Sequence, residues 1–351
     1  MLLLPDLSSQ LVTAALPASL GRLVFDSSSR YPQFMVRFTV LASGSKGNST
    51  IVSGGRTRIL VDCGLSCREL FRRMRLVEEE PETLDAILIT HEHSDHVNGV
   101  AVTARKLGIP VYFTEGTHRA WMRWLTPRRQ MSYAQWLEQC RKQAAERQAE
   151  TEMTAQEGEP DESDLADAEA EPEAAAPAKA KDPTWLPAVE YFRAGEPFEI
   201  GDIAVSPFTI PHDAADPVGF VFKTEGVRIA SATDLGYISP NVRAQLKGVD
   251  LLLLESNHDL EMLRDGPYPW SVKQRVLSRV GHLSNEAAAG FLEDGYDGQA
   301  AYVILAHLSE SNNLPELARV TAERALNGRA SLLANTLLLA KQHEPLAPIY
   351  F

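Results

Sequence analysis

Short apolar runs, spaced by turn residues and amphipathic stretches, recur along the chain from Met35 onward. Met35-Val-Arg-Phe-Thr-Val-Leu-Ala42 alternates apolar and polar positions and predicts a strand. Residues 50–53 and 58–62 predict two more. The small-residue stretch 42–50 between them reads as a tight hairpin turn that Gly44 and Gly47 permit. A helix is predicted over 67–75, a buried strand over 86–89, a helix over 98–107 and a strand over 109–113. Strands resume at 189–192 and 203–210, and 218–223 with 228–231 flank a turn at Glu225-Gly226, a hairpin signal. Residues 251–254 and 302–305 are short apolar strands, and helices are expected over 271–279 and 285–293, the latter capped by Ser284. Strand-rich halves with intervening helices predict an α/β (α+β) fold in which helices cover both outer faces of a pair of sheets.

The rhythm fails in two places. Residues 1–34 show no strong period and read as a poorly ordered extension or, by preference, as an artefact of start-codon choice. From about 127 to 183 the composition turns to Ala, Glu, Asp, Gln and Pro, and no aromatic residue lies between Trp136 and Trp185. Within that stretch 133–149 has helical character, and 151–181 holds too little apolar surface to offset ordering entropy. Because strands resume afterwards, the segment reads as an acidic insertion into one domain spanning 35–351. The net charge of −13 is concentrated there: twelve acids and one base between Glu146 and Glu173 leave about −2 for the remainder. The folded part is nearly neutral and neither favours nor excludes a phosphate-bearing substrate.

The 351 residues, 44% hydrophobic, supply ample core for one large domain or two ordinary ones. No apolar run approaches the ~18 residues that cross a bilayer, and Met1-Leu-Leu-Leu-Pro-Asp6 lacks the basic lead-in of a secretory signal. Three cysteines, Cys63, Cys67 and Cys140, argue for a reducing, cytoplasmic compartment and against a disulfide framework. Cys63 and Cys67 are one residue too far apart for a C-x-x-C redox pair and read as packed thiols.

The chemistry concentrates in Thr90-His-Glu-His-Ser-Asp-His96, directly after the strand at 86–89. H-x-H-x-D-H places three imidazoles and a carboxylate where a chain leaves a strand end, a donor set suited to zinc, manganese or iron. Asp62 ends the neighbouring apolar run; it is placed to orient a metal ligand from behind, or to cap the following helix. Later apolar runs also end in ligand chemistry: His212 after 208–211, Asp234 after 229–233, His258 after 251–255 and His307 after 302–306, with His282 in a loop before a helix. Lys46 and Asn48, in the small-residue turn, are candidates to face an anionic substrate.

Taken together, Phe38 to Ser49, Val61-Asp-Cys-Gly64, the 90–96 cluster, Ile210-Pro-His-Asp-Ala214, Ala232-Thr-Asp-Leu-Gly236, Glu255-Ser-Asn-His-Asp259, Gly281-His-Leu-Ser-Asn285 and His307-Leu-Ser309 resemble the metallo-β-lactamase-fold hydrolase superfamily, in its YycJ (WalJ)-like branch. The residues before 35 and the acidic insertion depart from that pattern without touching a motif. The resemblance implies a four-layer αββα sandwich with a site along one sheet edge. It implies that His91, His93 and His212 hold one divalent metal ion, that Asp95, His96 and His307 hold another, and that Asp234 bridges them. His258 and His282 compete with His307 for the last position; His307 is favoured because it terminates a strand, as the family's last ligand does. His282 then remains as a proton donor, and Asp95 both binds metal and orients the attacking water.

Two metals about 3.5–4 Å apart suit in-line phosphodiester hydrolysis through a shared, activated hydroxide. The resemblance therefore implies a 5′→3′ exonuclease on DNA, with manganese the first choice and zinc the second, serving DNA repair. Alternatives are a small cyclic phosphodiester, an ester or lactone, or a non-catalytic metal-binding interaction module. The 72 residues between Asp234 and His307 are too few for the nucleic-acid-clamping insertion of the RNA-processing branch.

Overall fold

The computed structural model describes residues 36–126, 141, 182–327 and 335–351. The extension at 1–34, the helix at 133–149 and the disorder at 151–181 lie outside the described residues, apart from Arg141. The chain divides into two compact units, 1–121 with 186–351, and 122–185. Little of the second is described, and every strand among the described residues belongs to the first.

Two seven-stranded sheets form the framework. The first contains β1 (Arg37–Ala42), β2 (Ser49–Ser53), β3 (Arg58–Val61), β4 (Ala86–Leu88), β5 (Val111–Phe113), β6 (Val189–Tyr191) and β14 (Ile349–Tyr350), in the order β14-β1-β2-β3-β4-β5-β6. The second contains β7 (Phe198–Ile200), β8 (Ile203–Thr209), β9 (Val218–Thr224), β10 (Val227–Ala232), β11 (Leu251–Glu255), β12 (Tyr302–Ala306) and β13 (Thr336–Leu339), in the order β13-β12-β11-β10-β9-β8-β7. The sheets repeat one plan. Antiparallel neighbours come first, and then β3-β4-β5-β6 and β10-β11-β12-β13 run parallel. Parallel neighbours need crossovers, and helices supply them: α1 (Cys67–Leu76), α2 (Ser94–Val97), α3 (Val100–Leu107) and α4 (Glu115–Leu125) in the first half, then α5 (Pro240–Gln245), α6 (Leu260–Asp265), α7 (Trp270–Val276), α8 (Asn285–Asp294) and α9 (Pro315–Asn327).

Strand alternation sorts the apolar side chains into layers. Leu251 and Leu253 join Phe38, Val40, Val61 and Phe220 in the core between the sheets. Leu252 and Leu254 turn outward to Leu292, Phe291 and Ala318 of the covering helices. On the other outer face α1 buries Leu70, Phe71 and Met74 and packs on β1 and α3. The result is the two-sheet, helix-covered α+β sandwich that the patterning predicts.

Local deviations have local causes. The helix expected over 98–107 is α3, beginning at Val100, and a separate helical turn, α2, precedes it within the cluster; at Gly99 between them a Cβ would stand 2.0 Å from the Leu65 carbonyl oxygen. Asp62 does not cap α1; Ser66 does, its Oγ accepting from Glu69 N at 3.4 Å. The 42–50 turn does join an antiparallel pair.

Candidate metal centre

The C-terminal ends of the parallel strands carry the ionisable residues. Asp62 follows β3, the 90–96 cluster follows β4, Asp234 lies just past β10, Glu255 closes β11 and His307 follows β12. Asp62, Asp234 and His307 sit at φ 58, 60 and 55°. Non-glycine residues seldom adopt this left-handed region, and they persist there when the surroundings over-determine them, often at functional sites.

His91, His93 and His212 form the first set that could hold a metal ion, with one donor nitrogen from each within 4.8 Å of the others. His91 Nδ1 lies 3.0 Å from Thr90 Oγ1, while its Nε2 is buried without a partner. His212 Nδ1 donates to the Gly281 carbonyl at 3.1 Å, and its Nε2 faces His93 Nδ1 at 3.2 Å. Burial, then the positive charge on His96, pushes His91 well below the ordinary imidazole value; burial also lowers His212. Imidazole nitrogens turned toward one another suit a cation between them.

Asp95, His96, Asp234 and His307 form the second set, again within 4.8 Å. His96 donates from Nδ1 to Asp62 Oδ2 at 2.8 Å, and its Nε2 lies 3.4 Å from both Asp95 Oδ2 and Asp234 Oδ2. Asp62 also accepts from the Thr90 backbone N–H at 2.9 Å, so it fixes the orientation of His96 from behind. His307 Nε2 stands 3.4 Å from Asp95 Oδ2. Burial opposes charge on both His96 and His307, but Asp234 and the neighbouring carboxylates outweigh it and hold both imidazoles well above their ordinary value. The Asp234 charge also acts on His91 and His212, partly offsetting the effect of burial on both. Its Oδ2 is buried without a hydrogen bond. Orphaned donor atoms and mixed His/Asp chemistry fit two divalent ions.

Asp234, Glu255, His282 and His307 make a third grouping within the same distance. Its Glu255 carboxylate is already saturated. Glu255 Oε1 accepts from His282 Nδ1 at 2.8 Å and His307 Nδ1 at 2.9 Å; Oε2 accepts from Leu235 N at 2.9 Å and Leu283 N at 3.0 Å. Four donors exhaust a carboxylate's acceptor positions. Glu255 is thus a positioning group that sets Nδ1–H on both imidazoles and turns Nε2 of each outward. His258 is buried, burial pushes it down to about 4, and among the described residues it joins none of these groups.

The cluster loop is pinned by backbone contacts: Asn48 N to Asp95 O at 2.7 Å and Cys63 N to His96 O at 2.8 Å. Asn48 is buried and donates from Nδ2 to Asp95 Oδ2 at 3.1 Å, so it holds a site carboxylate instead of facing solvent. Lys46 is exposed and paired with Glu310 at 2.5 Å. Cys63 and Cys67 are free, buried thiols, and burial raises Cys63 to about 12. Above the cluster lies a cleft of about 360 Å³ whose lining includes His93, Asp95, Asp234, His282, Tyr268 and Arg275.

Sequence reasoning missed the roles of Glu255, Asn48 and Thr90. The available signal for Glu255 was its position: it ends an apolar strand, as Asp62 does.

A model of the metallo-beta-lactamase superfamily matches residues 42–282. The chain belongs to that superfamily. It is 34% identical over 291 residues to exodeoxyribonuclease YycJ of Bacillus anthracis, covering 83% of this chain and 89% of that protein. It is 33% identical over 285 residues to exodeoxyribonuclease WalJ of Streptococcus pneumoniae, covering 81% and 86%. The fold is shared with the metallo-beta-lactamase fold protein YhfI of Bacillus subtilis, at a TM-score of 0.54 and 14% identity over 89% of this chain and 99% of that one. As a superfamily member with these relatives, the chain is a metal-dependent hydrolase. No helix among the described residues is long and apolar enough to cross a membrane.

Proposed function

We propose that this hydrolase is a phosphodiesterase that removes nucleotides from DNA ends, a 5′→3′ exodeoxyribonuclease. The observation that carries the reading is the pair of neighbouring groups, His91, His93 and His212 and then Asp95, His96, Asp234 and His307, beside a histidine held on a buried glutamate. Similarity to exodeoxyribonucleases over more than four-fifths of the chain supports it. In this reading His91, His93 and His212 hold one divalent ion, Asp95, His96 and His307 the other, and Asp234 lies between. Bound ions, manganese first and zinc second, supply Lewis acidity to phosphoryl oxygens and acidify a water.

The chain's own residues do the rest. Asp95, partly exposed at the cleft floor, orients the attacking water and is steadied by Asn48. His282 keeps Nδ1 on Glu255, and its Nε2 is available to protonate the departing oxygen, worth roughly 10²–10⁴ in rate. The carboxylate of Glu255 holds the ring by Nδ1 and so orients Nε2 for this donation. A cleft of about 360 Å³ is near the small end of ligand pockets and suits one nucleotide at a chain end. The same size favours, as a second reading, a small cyclic phosphodiester. Buried free thiols fit a reducing compartment, and we keep the cytoplasm as location and DNA repair as the process served.

The test is incubation of metal-stripped protein with end-labelled duplex DNA, with and without manganese, beside an Asp95→Ala, His96→Ala double variant. Manganese-dependent loss of nucleotides from 5′ ends, absent in the variant, is expected. Intact DNA despite two bound ions per chain moves the substrate to a small diester.

A further inference from the structure

One wall of the cleft is built from α7 and the residue pair ahead of it. Tyr268, Val272, Arg275 and Val276 line the cleft together with His93 and Asp95. Positions 272, 275 and 276 share one face of the helix. Residues 268–280 contain Lys273, Arg275 and Arg279 and no acid, in a chain of net charge −13. Lys273 is buried and donates to the Arg264 carbonyl at 2.6 Å. Arg279 stacks over the Tyr237 ring at 4.4 Å. Arg275 is the cation of this stretch that reaches the cleft, and its side chain is 54% exposed.

The guanidinium is aimed. Nε and Nη2 both bond the Asp213 carboxylate, Nη2 to Oδ1 at 3.1 Å, which leaves Nη1 for a second anion. Asp213 follows His212 directly, and its backbone N–H donates to the Val280 carbonyl at 3.0 Å. His212 is tied to Gly281 in turn. A Cβ on Gly281 would stand 2.2 Å from the Val276 carbonyl oxygen, and one on Gly236 2.4 Å from the Arg279 carbonyl carbon. The C-terminal end of α7 is therefore packed backbone to backbone against the loops that carry His212 and Asp234. This holds Arg275 at a fixed place relative to the metal centre, as a preorganised contact requires.

We infer that Arg275 grips a backbone phosphate of the substrate next to the one being cleaved, while the Tyr268–Val272 wall receives the adjoining nucleoside. The inference rests on the phosphodiesterase function proposed for this site. A guanidinium matches phosphate geometry and stays charged at all working pH. An aromatic ring stacks on any base and so tolerates every sequence. A purely structural exposed pair with Asp213 contributes little to stability, so the substrate effect is separable from folding.

The experiment uses the full chain loaded with manganese and end-labelled linear DNA, comparing the parent protein with Arg275→Ala and Arg275→Lys. For Arg275→Ala, KM rises roughly ten- to a hundred-fold with a smaller change in kcat. The slope of log kcat/KM against log salt falls by about one. Arg275→Lys recovers part of the KM, and metal content and Tm match the parent in both. Anisotropy of a dye-labelled single strand in EDTA shows the same weakening without turnover. An unchanged KM and salt slope in Arg275→Ala, with an active parent, overturns the inference alone; so does a loss that tracks loss of metal, which assigns Arg275 a structural role. A parent protein that leaves DNA intact overturns the phosphodiesterase reading and this inference with it.

Discussion

Replacing Glu255 with glutamine keeps the shape of a fully buried side chain and removes two of its acceptor positions. In the parent chain the carboxylate accepts from His282 Nδ1, His307 Nδ1, Leu235 N and Leu283 N. With its NH₂ toward Leu235 and Leu283, the glutamine amide confronts two backbone donors, at roughly 1–3 kcal/mol for each left unpaired. Turned the other way, the NH₂ faces both imidazoles, which must move their protons from Nδ1 to Nε2. His307 then presents N–H where a ligand lone pair is needed, and His282 loses the carboxylate that orients it. Either orientation costs activity: kcat falls about 10²–10⁴-fold through His282, and affinity for the second ion falls about 10–100-fold. Metal content per chain, DNA turnover and the ¹⁵N shifts of the two imidazoles measure the three effects. A glutamine variant with parent kcat, two ions per chain and intact Nδ1–H signals refutes the reasoning.

Three further substitutions or conditions probe the scaffold and the ligands. Gly64→Ala would place a Cβ 1.7 Å from Asp95 O and 2.7 Å from Asn48 N, both backbone atoms that no rotamer can move; stability drops by about 1–3 kcal/mol or more, and a melt with unchanged Tm and metal content contradicts this. Asp62→Asn must turn an NH₂ toward a donor among Thr90 N, Thr90 Oγ1 and His96 Nδ1; metal affinity falls about 10–100-fold by chelator competition, while an unchanged affinity denies Asp62 its role. Burial works against charge on His96 and His307, yet Asp234 and its neighbours keep both raised above 6.5, so metal must displace their protons. Uptake near pH 7 therefore releases protons and tightens as pH rises. In metal-free protein the same two groups stabilise the fold below pH 6.5 and lose that contribution as pH climbs through their raised values. Calorimetry in buffers of different ionisation enthalpy reads the release, and buffer-independent heats contradict it.

The candidate site was legible because its residues follow a simple rule: an apolar run, then a histidine or carboxylate at the strand end. Asp62, His91, Asp234 and His307 all obey it, and two parallel-strand edges bring them together. Glu255 obeys it too, but its role depends on four donors drawn from three separate loops, which no local pattern reveals. Other elements escaped for their own reasons. The described buried face of α9 is Ala318, Ala322 and Ala325, too small to give a helical hydrophobic signal. β7, β13 and β14 are short strands at sheet edges, where alternation over two to four residues carries little information. Ser66 caps α1 because it directly precedes Cys67; Asp62 lies four residues upstream and accepts from Thr90 and His96 instead.

The central claim is digestion from DNA ends, and topology of the substrate tests it most directly. Manganese-loaded protein is given equal amounts of a linear single-stranded DNA and the same sequence as a covalently closed circle. The account predicts release of mononucleotides from the linear strand while the circle persists, with neither change in the Asp95→Ala, His96→Ala variant. Linearisation of the circle at a comparable rate, by the parent protein and not the variant, contradicts it.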